Sequence, residues 1–285
     1  MSEVLLLYNL DAGPRKSQRM LARLVSVFEA SGASVVVRII DFTANPFDGI
    51  CNVDYVVVVG GDGTVGYVVG QMLRHEIDLP LAIIPAGTAN DFATMLGIPH
   101  NPLKAAKHIV KSQVRTVDCG RVNDRIFVNI FSFGLFTTTS QRTLGRWKRI
   151  FGRVAYMVEG LGELSHIRAI PVSVQSDTER FSARVLSVLI FNGRTAGRFP
   201  LAPDAKPDDG LLDGIFLLEC SLPRLAWGAL CYLCGGKPSV VKTLRSRSFR
   251  IESTLDGVAT DIDGQQGPEF PLEVESLVGR LQIKS

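Results

Sequence analysis

The sequence Val56-Val57-Val58-Val59-Gly60-Gly61-Asp62-Gly63-Thr64 determines the fold class that we expect for this chain. Four consecutive valines make an unbroken apolar run, which is typical of a strand that is covered on both faces. Two glycines end the run, and a helical pattern follows from Val65 to Leu73. The stretch therefore predicts one strand, turn and helix of a parallel sheet that is enclosed by helices.

The same alternation of strand and helix patterns continues on both sides of this stretch. Strand patterns lie at Val4 to Tyr8, Val35 to Ile40 and Leu81 to Ile84, and a helical pattern lies at Lys16 to Ala30. We therefore expect an α/β N-terminal domain with a mainly parallel sheet, which binds nucleotide and covers residues 1–122.

Strand patterns follow one another directly after Arg121. They lie at Arg125 to Ile130, Ala169 to Gln175, Arg184 to Phe191, Leu212 to Leu218 and Phe249 to Leu255, with helical patterns at Gly152 to Leu164 and Pro223 to Cys234. This order predicts a mainly antiparallel β-sandwich C-terminal domain over residues 123–285. Because no low-complexity linker separates the two parts, we expect them to pack closely.

The composition excludes several classes of protein. The chain has 285 residues and a formal net charge of only +3, which does not call for a nucleic acid partner. The segment from Met1 to Asn9 lacks the features of a secretory signal, and no apolar run reaches the roughly 18 residues that span a bilayer. The five cysteines have no zinc or disulfide spacing, and Cys231 and Cys234 are expected to be small apolar residues on a buried helix. We expect a cytoplasmic protein.

The glycine loop after the valine strand has the features of a phosphate-binding turn. Because glycine has no side chain, a phosphate can approach the backbone amides, and Thr64 can cap a helix whose positive end favours an anion. The Asp62 carboxylate would repel phosphate, so we expect it to hold Mg²⁺, directly or through water, or to orient neighbouring donors. An ordinary glycine-rich turn is the alternative.

A second loop, at residues 85–93, repeats this arrangement one strand later with the sequence Pro-Ala-Gly-Thr-Ala-Asn-Asp-Phe-Ala. Gly87 permits close approach, and Thr88 supplies a hydroxyl near a helix start. Asn90 and Asp91 add polar groups where an apolar helix would have none. Ligands of open α/β sheets bind where the carboxyl ends of strands converge, so two such loops together favour a nucleotide pocket.

Together, Gly-Gly-Asp-Gly-Thr at residues 60–64 and the second loop resemble the diacylglycerol kinase catalytic-domain family, in its soluble bacterial lipid kinase branch. The resemblance covers nearly the whole chain, with lesser matches at residues 127–129 and 192–193. It implies an ATP site formed by Asn9, Thr43, Gly60, Gly61, Asp62, Gly63, Thr64, Gly87 and Thr88. The chain departs from the family in two places: Leu10 replaces the usual proline after Asn9, and the stretch from Thr43 to Val53 is shorter.

An acidic loop in the second half, at residues 202–213, contains four aspartates among proline and glycine residues. Carboxylate and carbonyl oxygens are the ligands that Mg²⁺ prefers. The resemblance implies that this loop holds a structural magnesium ion through the side chain of Asp209 and the main-chain carbonyls of Lys206 and Leu211. From the residues alone, a solvated acidic turn is the alternative.

One position conflicts with the resemblance. Kinases of this family are expected to end with Asp-Gly-Glu, in which the glutamate accepts the proton of the lipid hydroxyl, whereas this chain reads Asp263-Gly264-Gln265. A carboxamide has no comparable basicity, and losing a general base slows a reaction by roughly a hundred- to ten-thousand-fold. Either Glu269 or Asp263 substitutes as the base, or phosphoryl transfer proceeds with little base assistance, or the chain binds its ligands without turnover.

A basic and aromatic run in the second half suggests membrane contact. Arg146, Trp147, Lys148 and Arg149 are its central residues, and Arg142 and Arg153 flank them. Such a run suits an anionic bilayer surface, at the inner face of the membrane. A solvated loop followed by a packed helix is the alternative.

The sequence as a whole predicts an ATP- and Mg²⁺-dependent lipid kinase of phospholipid metabolism, with Asp62, Asp91 and the position of Gln265 in catalytic roles. Its substrate would be diacylglycerol or a related membrane lipid, and no nucleic acid partner is expected. A non-catalytic nucleotide- and lipid-binding regulator is the alternative from another class. An NAD kinase would share Gly-Gly-Asp-Gly but not the Asn-Asp-Phe-Ala segment or the acidic loop. The sequence leaves open whether the protein forms a homodimer.

Overall fold

The computed structural model describes residues 2–10, 17–135 and 169–285. In chain order its elements are β1 (Glu3–Tyr8), α1 (Ser17–Glu29), β2 (Ser34–Ile39), β3 (Tyr55–Gly60), α2 (Asp62–Arg74), β4 (Leu81–Pro85), α3 (Asp91–Met95), α4 (Pro102–Lys111), β5 (Val114–Val122), β6 (Arg125–Phe127), β7 (Ile130–Gly134), β8 (Ile170–Ser176), β9 (Arg180–Phe191), β10 (Leu212–Leu218), α5 (Leu222–Leu233), β11 (Val241–Ser246), β12 (Ser248–Ser253), β13 (Thr260–Ile262), β14 (Gln265–Gln266) and β15 (Leu272–Lys284).

The N-terminal half contains the predicted parallel sheet. Strand β1 pairs in parallel with β2 and β3, and β3 pairs in parallel with β4. The central strands β1 and β3 are buried, and they form one apolar core with residues of α1, α2 and α4. The parallel pairing confirms the prediction of an α/β fold with a mainly parallel sheet, and the burial of successive residues in β3 shows that this strand is covered on both faces.

The C-terminal half is mainly antiparallel, as predicted. Strand β9 lies between β7 and β8, and β8 is followed by β12 and β15, with antiparallel pairing throughout. Five phenylalanines dominate its separate core: Phe127, Phe131, Phe133, Phe216 and Phe249. The predicted helix at residues 152–164 lies outside the described residues.

The strand predicted at Arg125 to Ile130 is divided in the structure, so this prediction was wrong in detail. Strand β6 ends at Phe127 and β7 begins at Ile130. The amides of Val128, Asn129 and Ile130 donate to the carboxylate of Asp263. These amides therefore bond to a carboxylate instead of to a neighbouring strand, and this interrupts the strand between Phe127 and Ile130.

The last strand joins the two halves. β15 pairs antiparallel with β5 along most of its length, and its Ile283 pairs in parallel with Leu81 of β4. At the same junction the buried carboxylate of Asp118 accepts hydrogen bonds from the amides of Gly210 at 2.7 Å and Gly279 at 2.6 Å. The chain thus returns to the N-terminal sheet at its end, and the domain boundary at residue 122 stays a prediction.

Among the helices of the described ranges, none combines the length and the apolar character that a membrane crossing requires.

Two glycines provide a matched test of the packing. A Cβ atom at Gly120 would overlap the ring of its cross-strand partner Phe127, whereas a Cβ at Gly70 of α2 meets nothing within 4 Å. We expect Gly120→Ala to lower the free energy of unfolding by about 1–3 kcal/mol through overpacking. Gly70→Ala should raise it by about 0.5–1 kcal/mol, because alanine is favoured over glycine inside a helix. Urea unfolding followed by circular dichroism measures both, and equal midpoints for the two variants would contradict the packing of Phe127.

Candidate active site

The two glycine loops touch each other at the carboxyl ends of neighbouring strands. Gly60 at the end of β3 pairs with Pro85 at the end of β4. A Cβ atom at Gly87 would lie only 2.5 Å from the Cα of Gly61, so neither position has room for a side chain. The predicted convergence of the two loops is therefore present, and it depends on glycine at both positions.

Helix α2 begins directly after the first loop without a side-chain cap. Its N-cap residue is Gly61, and Thr64 lies within the first turn. The predicted capping role of Thr64 is wrong, because its hydroxyl instead accepts a hydrogen bond of 2.8 Å from Nδ2 of Asn9. This bond joins the end of β1 to α2. The positive end of a helix is a favourable place for an anion, and no side-chain oxygen caps this one.

The carboxylate of Asp62 orients the second loop. Its two oxygens accept hydrogen bonds from the amides of Asp91 at 3.1 Å and Phe92 at 3.0 Å, at the start of α3. Burial raises the pKa of this carboxyl, these amide donors oppose the rise, and the charge of Asp91 adds to it. Of the two roles expected for Asp62, the orientation of neighbouring donors agrees with these contacts.

The second loop is closed by the side chain of Asn90. This residue has a left-handed backbone with φ 55°, its Oδ1 accepts from the amide of Gly87 at 2.8 Å, and its Nδ2 donates to the carbonyl of Gly87 at 2.9 Å. The amide of Gly87 is thus engaged within the protein. Contact of Gly87 with a nucleotide stays a prediction, and the amide of Gly87 does not support it.

Asp91 fastens the two halves of the chain together. Its carboxylate accepts hydrogen bonds from the hydroxyl of Thr195 at 2.7 Å and from the amides of Gly197 at 2.7 Å and Arg198 at 2.9 Å. The residue is buried. Its predicted part in placing a lipid hydroxyl stays a prediction, since both oxygens are already used to hold the loop that follows β9.

Gln265 lies over the start of α2, although the sequence separates the two widely. It is exposed, and its Nε2 donates to the carbonyl oxygen of Gly63 at 3.3 Å. The turn between β13 and β14 therefore brings the position of the expected base to the first glycine loop. The preceding Asp263 packs against the same helix, since a Cβ at Gly66 would lie 3.2 Å from its Oδ2.

Asp263 itself is held by backbone amides. As described for β6 and β7, three amides donate to its carboxylate, at distances of 2.7 to 3.1 Å. Burial raises the pKa of this carboxyl to about 8, the charge of Asp62 contributes to the rise, and the amide donors oppose it. Because its oxygens are engaged, Asp263 is poorly placed to replace the missing base.

Arg198 is a site residue that the sequence reasoning missed. It comes from the second half, yet its Nη2 donates to the carbonyl of Thr88 at 3.0 Å and its Nε to that of Ala89 at 3.3 Å. Its backbone φ is 73°, a conformation that costs energy for any residue other than glycine. The sequence did contain a signal for this residue. Arg198 directly follows Gly197, in a loop after a long strand.

Thr43 lies in a neighbouring loop. Its hydroxyl and its amide both bond to Oδ1 of Asp41, at 2.7 and 2.9 Å. The hydroxyl of Tyr67 in α2 donates to the carbonyl of Ala44 at 2.7 Å, which fastens this loop beside the helix. The nucleotide contact expected of Thr43 stays a prediction.

An arginine pairs with two of the four aspartates in the acidic loop. Arg245 of β11 contacts Asp209 at 2.6 Å and Asp213 at 3.0 Å, and the amide of Leu211 donates to Oδ1 of Asp209. Burial raises the pKa of Asp213 to about 6; Arg245 opposes the rise, and the charges of Asp209 and Asp204 add to it. No group of three or more metal-binding side chains occurs in the part of the chain that the structure describes.

The guanidinium of Arg245 thus occupies the carboxylates of Asp209 and Asp213. Magnesium binding through Lys206, Asp209 and Leu211 stays a prediction, and the ion pairs weigh against it. The basic run with Arg146, Trp147, Lys148 and Arg149 lies outside the described residues.

Comparison with known families divides the chain in two. Residues 3–122 match the model of the diacylglycerol kinase catalytic domain. Residues 130–285 match the model described as the YegS C-terminal NAD kinase beta sandwich-like domain.

Individual relatives agree with these matches. The diacylglycerol kinase of Bacillus subtilis is 26% identical over 291 residues, which cover 99% of this chain and 96% of that protein. The diacylglycerol kinase of Staphylococcus haemolyticus is 30% identical over 236 residues, covering 81% and 70%. A solved structure of a diacylglycerol kinase from Bacillus anthracis superposes with a TM-score of 0.75 at 26% identity, covering 99% of this chain and 96% of that one.

From the ion pairs of Arg245 we predict how the thermal stability of the protein depends on Mg²⁺. We expect the thermal midpoint of the native chain to be the same in Mg²⁺ and in EDTA. Arg245→Met leaves two neighbouring carboxylates unpaired, so its midpoint should fall, and Mg²⁺ should then restore part of the loss. Differential scanning fluorimetry measures all four conditions. A clear rise of the native midpoint on adding Mg²⁺ would show instead that the ion displaces the guanidinium.

Proposed function

Because this chain belongs to the diacylglycerol kinase family, we propose that it transfers the γ-phosphoryl group of ATP to a hydroxyl of diacylglycerol or a related membrane lipid. One observation supports the proposal most strongly. The two glycine loops and the turn that carries Gln265 meet at the start of α2, where strand ends of an α/β sheet typically receive a ligand.

The triphosphate of ATP would lie at the positive end of α2. The close packing of Gly61 against Gly87 brings the two loops together beside this helix end, and Asn9 and Thr64 support the loop from the side of β1. Mg²⁺ would arrive with ATP as part of the substrate, neutralising its phosphates. Asp62 contributes indirectly, by holding the second loop in position.

In the transfer step the lipid hydroxyl oxygen bonds to the γ-phosphorus while the bond to the β,γ-bridging oxygen of ATP breaks, leaving ADP. The hydroxyl proton must pass to an acceptor. Gln265 can orient this hydroxyl, but it cannot accept the proton at neutral pH. Positioning and charge stabilisation provide most of the catalysis in phosphoryl transfer, so turnover persists at a reduced rate.

Arg198 would add positive charge beside this site. Two of its five N–H donors hold the second loop, which leaves donors for the phosphate oxygens of ATP. Its strained backbone supports a functional role, because a glycine would fit the same position without cost.

A non-catalytic regulator is the second candidate, and the carboxamide of Gln265, bonded to Gly63, favours it. An NAD kinase is the weaker rival, although the family model matching the second half carries that name in its description. The Asn-Asp-Phe-Ala segment of the second loop counts against it.

The proposal includes the cell location and the division of the chain. The protein would be cytoplasmic and act at the inner face of the membrane, with Arg146, Trp147, Lys148 and Arg149 near an anionic surface. Residues 1–122 would bind nucleotide, and residues 123–285 would bind the lipid and complete the catalytic site. Its product would enter phospholipid biosynthesis.

A substrate panel tests the proposed activity. Labelled ATP is supplied with vesicles that contain diacylglycerol, with vesicles that contain other hydroxylated lipids or sphingoid bases, and with NAD. We expect label transfer to a lipid and none to NAD. Transfer to NAD alone would reject the lipid kinase, and no transfer to any acceptor would favour the regulator.

Gln265→Glu tests the missing base. Glutamate cannot donate to the carbonyl of Gly63, so its side chain should leave this contact and accept the substrate proton. We expect kcat to rise by about a hundredfold or more. The matched control is Gln266→Glu, which adds the same charge at an exposed neighbour on the opposite side of β14. An equal change in both variants, or none in either, would mean that position 265 has no part in proton transfer.

Arg198→Gly tests the proposed contact with phosphate. It removes the guanidinium, keeps the amide that bonds to Asp91 and relieves the positive φ, so the thermal midpoint should not fall by much. The KM for ATP should rise by about tenfold or more, since a charged hydrogen bond contributes about 1.5–3 kcal/mol. Arg198→Lys should recover part of the loss. An unchanged KM in Arg198→Gly would restrict Arg198 to a structural role.

A further inference from the structure

Helix α5 was expected to be buried, but this prediction was wrong, since Cys234 directly after the helix is exposed. The helix is apolar on both its inner and its outer face. Its outer face presents Trp227 at 72%, Leu230 at 52% and Leu233 at 40% exposure. These positions recur at intervals of three residues, so they lie on one side of the helix. A surface helix ordinarily turns polar residues outward, and an exposed apolar face usually marks an interaction site.

The inner face shows that this orientation is fixed by packing. Leu225 is buried with Ala169 and Leu186, and Gly228 lies so close to Val240 that no side chain would fit. The hydroxyl of Tyr232 donates to the carbonyl of Leu201 at 2.8 Å. Rotating the helix to hide Trp227 would break all of these contacts.

The sequence around the helix is rich in cations. Between Glu219 and Glu252 the sequence contains no acidic residue, whereas it contains the following six cations: Arg224, Lys237, Lys242, Arg245, Arg247 and Arg250. The two nearest to the helix, Arg224 and Lys237, are exposed and form no ion pair with any described residue. Lys242, Arg245 and Arg250 pair with acidic side chains, so the cationic border of the apolar face consists of Arg224 and Lys237.

An anionic lipid bilayer matches this combination. Tryptophan prefers the depth of the lipid headgroups, leucine side chains enter the acyl region, and cations at the border are attracted to acidic lipids. A second copy of this chain is a poorer match, because a two-fold contact would bring two cationic borders together.

The helix is also connected to the candidate active site. Leu201, whose carbonyl accepts the hydrogen bond of Tyr232, lies in the loop after β9. The same loop contains Arg198, which donates a hydrogen bond to the carbonyl of Thr88. A bilayer that holds α5 would therefore hold this loop near the membrane surface.

We propose that the outer face of α5, formed by Trp227, Leu230 and Leu233, docks the protein on an anionic membrane. The inference rests on the proposed function, since a membrane lipid is the substrate there. It identifies a second surface, separate from the basic run with Arg146.

Vesicle co-sedimentation tests the docking face. The double variant Trp227→Ser, Leu230→Ser should bind vesicles of phosphatidylglycerol and phosphatidylcholine about tenfold more weakly than the native chain, because two exposed apolar anchors are lost. The matched control is Val278→Ser, a residue of β15 that is 64% exposed. Binding by the double variant at the native level would overturn the proposal.

Activity on a soluble short-chain diacylglycerol separates this inference from the proposed function. We expect the double variant to keep its rate on that substrate and to lose rate on vesicles. Absence of activity in the native chain on both substrates would defeat the proposed function, while the sedimentation result would still decide the docking face. A native dimer that the double substitution makes monomeric, with vesicle binding unchanged, would assign the face to a second copy.

Fluorescence gives an independent measure of position. The chain has two tryptophans, so Trp147→Phe leaves Trp227 as the sole reporter and keeps an aromatic ring at residue 147. Vesicles with brominated acyl chains should quench Trp227 and shift its emission to shorter wavelength. Bound protein whose Trp227 is not quenched would contradict insertion.

Discussion

Hydrogen bonds from main-chain amides to aspartate carboxylates hold the candidate site together. Asp62 accepts two amides at the start of α3, Asp91 in the same helix accepts two from the loop after β9, and Asp263 accepts three between β6 and β7. Each bond joins segments that are distant in sequence. Because hydrogen bonds to charged groups are stronger than neutral ones, and because their loss leaves buried amides unpaired, these carboxylates determine how the two halves meet.

This arrangement separates residues that build the site from residues that face it. The aspartates and Asn90 use their polar atoms inside the protein, so they act by positioning the loops. Gln265, Arg198 and the uncapped start of α2 are left to interact with ligands. A motif that looks acidic in sequence therefore produces a site whose open groups are neutral or positive, which suits a triphosphate.

Local patterns predicted much of the architecture. The valine run, the glycines that end it and the repeated loop after the next strand correctly indicated a parallel sheet whose loops converge at one edge. The errors arose where a distant partner altered a local preference. Thr64 bonds to Asn9 instead of capping α2. The carboxylate of Asp263 binds the amide of Val128 and so interrupts the strand predicted after Arg125. Neither partner can be identified from spacing, since the pairs are 55 and 135 residues apart.

The sequence by itself determined the fold class, the positions of the glycine loops and the absence of a carboxylate at residue 265, because these follow from residue type and short-range periodicity. Only the tertiary structure decided that Gln265 lies on Gly63, that Arg198 reaches Thr88 and that Arg245 pairs with Asp209. It also decided which face of α5 is exposed. Such contacts depend on how strands pair across the whole chain, and no local pattern contains that information.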